Sequence, residues 1–525
     1  MSLIPKKKFY KIQHPDFLNN FPDKIIQDNW KFKEIYTRTE RQDFYDTFEW
    51  QAFVKGIIIV KKRNALFLLD DKTGHTRASV MSPVRQSYFF SDDFPSNKVC
   101  ELLSSCTDIR AFIKLASFDV KVQAFHIYDI NDGNEKIIGI LIKESIEHSE
   151  KHKHNPPVHI ISLQPFRGYK EESENIENSL TENSEKLKAI DLKNFFIDLM
   201  SYAGLNVQGY SSKLHLNLDP NTSIYESAQK VLRYTLSIMR VNEAGIRKNI
   251  DTEFLHDYRV AVRRTRSILK QLKGIFEPEA TAYFLDAFRD IGRQTNEIRD
   301  NDVYLLDKVN YCNCLPASFQ PSLHEFFNEI AASRKAVHKE FSRYLVSAEY
   351  LSLIRQWEEF INQPVPEDSE RTPNASHPTS SIALKSIRKA WKKVIRNGRQ
   401  ISRESTDAEL HSIRIDCKKL RYLLEFFASI FPHDTIDSVV SQLKKLQDNL
   451  GNFIDVSIQL DYLQHYLASI EIRKKNKLLI ASIGSLITII YQKKEKARFH
   501  FHETFREFDN DDTERRFQDL LSASH

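Results

Sequence analysis

The chain is expected to fold as α+β, with an antiparallel β-rich N-terminal domain followed by an all-α domain of two like halves. Three observations lead there. Short apolar runs punctuated by turn signals fill the first 170 residues, the pattern of strands. From about residue 221 the apolar spacing becomes helical, and 13 glycines in 525 residues are few for a turn-rich β protein. Finally, one helical pattern occurs twice, 155 residues apart.

In the first region, residues 56–60 and 65–69 are apolar runs around a basic turn, Lys61-Lys62-Arg63-Asn64. Residues 118–130 and 136–143 are β-type runs separated by Asn131-Asp132-Gly133, a hairpin signal. Residues 158–163 make a further strand. Ahead of it, residues 148–157 form a polar, proline-containing loop. His152 and His154 there, with His159 just beyond, fit a mobile polar loop better than a metal site. The pattern turns helical over 170–204. The first domain is therefore placed at 1–205, with a linker over 206–220.

The helical domain is placed at 221–510. Thr222-Ser223-Ile224-Tyr225-Glu226 supplies a cap and its glutamate, and the helix it opens runs to about Arg247. Helices over 255–270, 280–306, 321–341 and 348–361 complete a first half, 221–362. Residues 363–381, rich in Pro, Ser, Asp and Glu, are expected to be a linker. The second half, 382–510, repeats the plan with helices over 382–402, 409–431, 436–467 and 474–498. Residues 511–525 are expected as an acidic tail.

Hydrophobic content of 41% with 28% charged residues belongs to a globular chain, not a disordered one. The net charge of +5 is unevenly placed. Residues 1–220 hold 30 Lys+Arg against 30 Asp+Glu, whereas 221–525 hold 46 against 41. Residues 381–400 carry seven basic residues and no acidic one; a solvated helix face is the plain explanation of any single run of this kind. Five cysteines without a framework spacing point to a reducing compartment, and Cys312-Asn313-Cys314 is too small a cluster to hold zinc alone. No apolar core follows Lys6-Lys7-Lys8, so no secretory leader is expected. The longest apolar run, 478–491, is shorter than the roughly 20 residues a membrane span needs. A cytoplasmic protein without a membrane partner or a cofactor is expected.

The repeated pattern carries the chemistry. At 100° per residue, His256, Arg259, Arg263, Arg266 and Lys270 fall within an arc of roughly 80°. Tyr258, Ala261, Val262, Ile268, Leu269 and Leu272 lie opposite as a core stripe. Like charges at i,i+4 repel by a few tenths of a kcal/mol each, so such a stripe calls for an anion. Its second copy puts His411, Arg414, Lys418, Lys419 and Arg421 where His256, Arg259, Arg263, Arg264 and Arg266 stand. Asp455 corresponds to Asp302, in the segment Arg299-Asp300-Asn301-Asp302-Val303.

These residues resemble the conserved histidine α-helical domain, the CHAD family. Its signature is a His-x-x-Arg-Val-x-x-Arg-Arg-x-Arg helix, an Arg-Asp-x-Asp-Val segment and a second His-x-x-Arg-x-x-x-Lys-x-x-Arg-Tyr helix. Residues 256–266, 299–303 and 411–422 match these in order, and the resemblance covers about 221–508. It implies an all-α, pseudo-twofold pair of bundles enclosing a basic cavity for inorganic polyphosphate. The N-terminal region is similar to the CYTH fold, a triphosphate-tunnel β-barrel. Tyr45-Asp46-Thr47-Phe48-Glu49-Trp50, followed by Gly56, resembles its early segment, and Leu163-Gln164-Pro165-Phe166-Arg167-Gly168-Tyr169 its late strand. The catalytic members open with a Glu-x-Glu-x-Lys strand that holds a divalent metal. Here Lys6-Lys7-Lys8-Phe9-Tyr10-Lys11-Ile12 offers no carboxylate, and Mg²⁺ requires one.

Polyphosphate carries about one charge per phosphate and no base edge or apolar handle. Arginine serves it with bidentate hydrogen bonds and lysine as a point charge. Candidate ligands are His256, Arg259, Arg263, Arg264, Arg266 and Lys270 in the first stripe helix, and His411, Arg414, Lys418, Lys419 and Arg421 in the second. Lys385, Arg388, Lys389, Lys392, Arg396 and Arg399 share a third helical face, spaced 3, 4, 7, 11 and 14 from the first. Weaker candidates are Lys230, Arg233 and Arg240, and Arg334, Lys335, Lys339 and Arg343. Asp300, Asp302 and Asp455 are expected to brace stripe arginines from behind. Glu425, standing where Lys270 does in the first half, is expected to pair with Arg421 or Lys418 and weaken the second wall.

For the histidines three roles stay open: a neutral donor to phosphate, a metal-binding pair, or a tie to a neighbouring helix. The expected function is non-enzymatic binding of polyphosphate, free, in granules or with granule proteins, with no catalytic residue and no metal. A metal-dependent tripolyphosphatase or polyphosphatase is the alternative. It would need Glu34, Glu40, Asp43, Glu144, Glu147 or Glu171 to converge inside the barrel, where Lys61, Lys62, Arg63, Arg85 and Arg167 offer cations. Nucleic acid ranks third, because it asks for aromatics among the cations and only Trp391 sits in a basic run.

Overall fold

In this computed structural model the described residues are 7–13, 30–81, 87–95, 97–107, 109–130, 135–149, 156–182, 187–214, 216–366, 370–402 and 404–522. His152, His154, Arg85, Lys6 and the Asn131-Asp132-Gly133 turn lie outside them. The chain divides into two compact units, Met1–Ser211 and Ser212–His525, and the division falls inside the segment expected as a linker.

The first unit is built on one antiparallel sheet: β1 (Lys8–Ile12), β2 (Trp30–Asp46), β3 (Ile57–Lys62), β4 (Ala65–Asp70), β5 (Thr76–Met81), β6 (Tyr88–Phe89), β7 (Phe112–Asp129), β8 (Lys136–His148), β9 (Val158–Pro165) and β10 (Leu187–Ala189). The strand order is β10-β1-β9-β8-β7-β2-β3-β4-β5, with β6 also on β7, consistent with a CYTH-like barrel. β2 and β7 pair from Trp30 opposite Asp129 to Asp46 opposite Ile113. Register shifts at Glu34/Tyr36 and Phe44/Tyr45 bend this long ribbon.

Four helices of this unit are α1 (Gln51–Val54), α2 (Lys98–Cys106), α3 (Lys170–Glu182) and α4 (Leu192–Tyr202). Asp46 of the Tyr-Asp-Thr segment is buried. Its carboxylate accepts from the Thr47, Ala52 and Phe53 amides at 2.7, 2.8 and 2.9 Å. Burial pushes its pKa up to about 7 against the pull of those amides, and its place is to fasten α1 to the strand end. Asp191 caps α4, accepting from the Asn194 amide at 2.9 Å. α4 then drives Phe195, Phe196, Leu199 and Met200 into the core formed by Phe44, Val60 and Phe118. Each such side chain buried stabilises by about 1.5–3 kcal/mol.

Of the carboxylates a barrel hydrolase would need, Glu144 alone lines the pocket on this side of the sheet. Glu40 is buried against Arg38, Gln42 and Arg63; Asp43 is held by Arg41 and Ser117. Glu34, Glu147 and Glu171 are exposed.

The second unit is helical: α5 (Ile224–Lys248), α6 (Thr252–Gln271), α7 (Pro278–Gln294), α8 (Asn296–Leu306), α9 (Lys308–Asn313), α10 (Leu323–Tyr344), α11 (Ala348–Phe360), α12 (Thr379–Gly398), α13 (Asp407–Phe426), α14 (His433–Ser469), α15 (Lys477–Phe508) and α16 (Asp511–Ser522). The capping box at Ser223 and Glu226 opens α5. α6 and α13 have 20 residues each and start 155 apart, so the repeat holds to the residue. Gly245 near the end of α5 lies against the Phe254 ring of α6, and Gly398 at the end of α12 against Phe505 of α15. A β-carbon at either place would collide with an aromatic face.

Three expectations are corrected. The helix expected over 280–306 is broken at Thr295 into α7 and α8, whereas its counterpart α14 runs 37 residues unbroken. The described residues of the expected linker, 363–366 and 370–381, are fastened to the core. Thr372, Ala375 and Thr379 are buried, the Gln363 carbonyl accepts from Gln229 at 2.5 Å, and Pro378 bridges to Ser223. The acidic tail is in fact α16, which buries Thr513, Phe517, Leu520 and Leu521. Phe517 stacks on Trp391 with centroids 4.7 Å apart and planes at 10°. No helix among the described residues is long and apolar enough to cross a membrane.

Candidate functional site

The site grows from α6. Asp251 caps it by accepting from the amides of Glu253 and Phe254 at 2.9 and 3.3 Å. Leu255, Tyr258, Ala261, Val262, Ile268 and Leu269 are buried, and the Thr265 hydroxyl meets that of Thr235 on α5 at 2.8 Å. This fixes the rotation of α6 and aims Arg259, Arg263 and Arg266 at α7. Together with Arg289, Gly292, Arg293 and Asn296 they line a cleft of about 320 Å³. Five guanidinium groups and no carboxylate face it.

Arg259 sits deepest. It donates to the Gly292 carbonyl at 3.1 Å, the Thr295 hydroxyl at 2.5 Å and the Asn296 side-chain oxygen at 2.9 Å. The Gly292 carbonyl also accepts from the Thr295 hydroxyl at 3.0 Å, so Arg259 and Thr295 together brace the place where α7 breaks. Burial first, and Arg263 next, hold its pKa down to about 10. Arg266 is lowered by burial and by Arg289 and Arg293. Its guanidinium lies over Gly292, where an added β-carbon would stand 3.6 Å away.

The second stripe faces the first through Arg263. Burial, then Arg414, Arg263 and Arg421, bring the pKa of Lys418 down to about 8. Arg414 is lowered by burial and by the same Arg263, against the pull of Asp455 at 3.5 Å. His411 is exposed and its pKa is lowered by partial burial, Arg414 and Lys418. The Nε atoms of Arg263, Arg266 and Arg414 are buried without a hydrogen-bond partner. A buried donor left so costs about 1–3 kcal/mol until an acceptor oxygen reaches it.

Several candidates have other work. Arg264 points away from the cleft, donating to the Ser212 carbonyl and pairing with Glu425 at 3.5 Å. Glu425 also meets Arg421 at 3.4 Å, so it joins the two halves as well as pairing within its own. Asp302 is held by Arg334 of α10 at 2.8 Å, not by a stripe arginine. Asp300 keeps a raised pKa from burial, tempered by Arg259 and Arg299. Lys419 pairs with Asp416 at 3.4 Å, where Lys393 and Asn397 also converge. On α5, Lys230 donates to the Asn217 carbonyl, Arg233 to Asn362 at 2.7 Å and Arg240 to Glu358 at 3.2 Å. Those three cations are spent on neighbours. His256 is half-buried with partners of its own.

On α12, Lys385, Arg388, Lys389, Lys392 and Arg396 share one open basic face outside the arginine cleft. A further groove of about 490 Å³ joins Lys270 to Lys385, Lys389, Lys393 and Lys419. Arg399 leaves this face to pair with Asp509 at 2.7 Å. Arg289 and Arg293 were not anticipated. Their i,i+4 spacing was visible, but Asp286 and Asp290 beside them gave α7 a mixed charge.

Lys418 gives the site a testable pH dependence. With its pKa near 8, raising pH from 7 to 9 removes its charge, so affinity for a polyanion should fall across that interval. A bound anion favours the charged form, so binding near pH 8 should take up protons. Calorimetry in buffers of different ionisation enthalpy measures that uptake. Lys418→Arg, which stays charged, should flatten the profile. An unchanged profile in that variant would place the titration elsewhere.

The family model for the CHAD domain matches residues 230–464. Among solved structures, the CHAD domain from the plant Ricinus communis aligns at 20% identity and a TM-score of 0.44, covering 58% of this chain and 96% of that one. PptA from Streptomyces chartreusis aligns at 14% identity and a TM-score of 0.43, covering 55% of this chain and 99% of that one. No curated protein matches the chain.

Proposed function

We propose that residues 230–464, a CHAD domain, bind inorganic polyphosphate in the cleft between α6 and α7 and do not turn it over. The observation that carries this reading is a cleft lined by five arginines and no carboxylate; Arg289 and Arg293 pair outside it with Asp286 and Asp290, whereas Arg263 is placed to act on Arg414 and Lys418 of the second half. Buried guanidinium groups repel one another and lose hydration. An occupant with closely spaced acceptor oxygens and about one charge per repeat relieves both penalties. The lining holds no aromatic side chain that could stack on a base, which favours polyphosphate over nucleic acid. Trp391, the aromatic within the basic run, is buried against Phe517 and cannot serve a base. Lys270 and the α12 cations extend the basic surface beyond the cleft, which suits a long chain.

Titration of the full chain with long-chain polyphosphate and with mixed-sequence single-stranded DNA, at two salt concentrations, tests the reading. Polyphosphate should bind tighter than DNA of equal charge, with an affinity that falls steeply as salt rises. Phosphate release with Mg²⁺ or Mn²⁺ should stay below one equivalent per protein. Preference for DNA, or phosphate released over many turnovers, would overturn it.

A further inference from the structure

The concave face of the N-terminal sheet holds a pocket of about 260 Å³ that the arginine cleft does not involve. Its walls are mostly apolar, with Phe44, Val60 and Leu69 from the strands facing Phe195, Phe196 and Leu199 of α4. Three charged side chains line it, Lys7, Lys62 and Glu144, which leave one positive charge in excess. The Lys7 ammonium lies 5.2 Å from the centroid of the Phe9 ring. Burial lowers its pKa, with Glu144 opposing and Lys62 adding to the shift. Gly74 lines one corner at φ +67°, and a β-carbon there would come within 2.7 Å of Phe9 and 3.2 Å of Leu192. The chain thus keeps that corner free of side chain.

This chemistry does not suit a triphosphate, which offers several charges and no apolar surface. It suits an apolar body carrying a single anionic group. The volume sits near the lower end of the roughly 300–1,000 Å³ typical of ligand pockets, so the body is about one ring or a short branched chain. We propose that the first unit binds a small amphiphilic monocarboxylate, its apolar body against Phe44, Phe195 and Leu199 and its carboxylate at Lys7 and Lys62. The site is independent of the polyphosphate cleft.

Calorimetric titration of the full chain with 4-phenylbutyrate, 4-phenylbutan-1-ol and tripolyphosphate tests this. The carboxylate should bind at one site, and the alcohol about tenfold or more weaker, as for loss of one charge-assisted hydrogen bond. Lys62→Met should weaken the carboxylate by a similar factor. Leu69→Trp, which fills the pocket, should abolish its binding. Both variants should keep the circular dichroism and the polyphosphate affinity of the parent, which shows that they are folded. Equal affinity for acid and alcohol, no binding of the acid, or its displacement by tripolyphosphate in a Lys62-dependent way would each overturn the proposal.

Discussion

Charge reversal at Arg263 and Lys418 together, R263E/K418E, should weaken binding of long-chain polyphosphate by roughly 10²–10⁴-fold. Each residue would contribute a charge-assisted interaction worth about 1.5–3 kcal/mol, and reversal would add repulsion to the loss. The pair lies where the two stripes share a field. Arg263 lowers the pKa of both Arg414 and Lys418, although these lie on the other stripe. The fold should survive, because the new carboxylates find Arg259, Arg414 and Arg421 around them in place of like charges. Equilibrium titration at fixed salt gives the affinity, and circular dichroism checks helicity. Parent-like affinity in a folded variant would move the binding site away from the stripes.

A second large effect concerns stability. Phe517→Ala should destabilise the helical unit by about 3–5 kcal/mol, the usual cost of removing a fully buried aromatic ring. Phe517 is 0% exposed, and its partner Trp391 belongs to α12, the helix that carries the open basic face. Urea unfolding should show a lower midpoint at nearly unchanged slope. Asp519→Asn, an exposed site on the same helix, should leave the midpoint where it is. A loss below 1 kcal/mol in F517A would mean that α16 is dispensable.

The parts of the site that could be anticipated from residues alone are those where local pattern and function coincide. Arg259, Arg263 and Arg266 share a helical face that lines the cleft, and a second copy repeats that face at a fixed offset. What escaped depends on partners distant in the chain. Arg264 stands beside Arg263 in sequence, yet Glu425 and the Ser212 carbonyl claim it. Asp302 takes Arg334 from α10 in place of a stripe arginine. Arg289 and Arg293 come to the cleft only because α7 folds back across α6. In the last helix, acidic composition hid an apolar spacing of 517, 520 and 521 that buries one face. The β-rich character of the first unit was evident from its apolar runs. That α4 fills the concave face was not, since no local signal says which surface a short helix covers.

The break between α7 and α8 gives the cleft a mechanical property. One side of the cleft is the end of α7, and Arg259, which lines the opposite side, adds three hydrogen bonds at the junction with α8 to those that Thr295 makes to the Ile291 and Gly292 carbonyls. An anion that drew that guanidinium toward itself would remove part of the bonding at the joint that positions Arg289 and Arg293. The corresponding stretch of the second half is a continuous rod of 37 residues with no such joint. The duplicated plan has therefore given the first half a joint and the second a rod, so compliance on binding would belong to the first half.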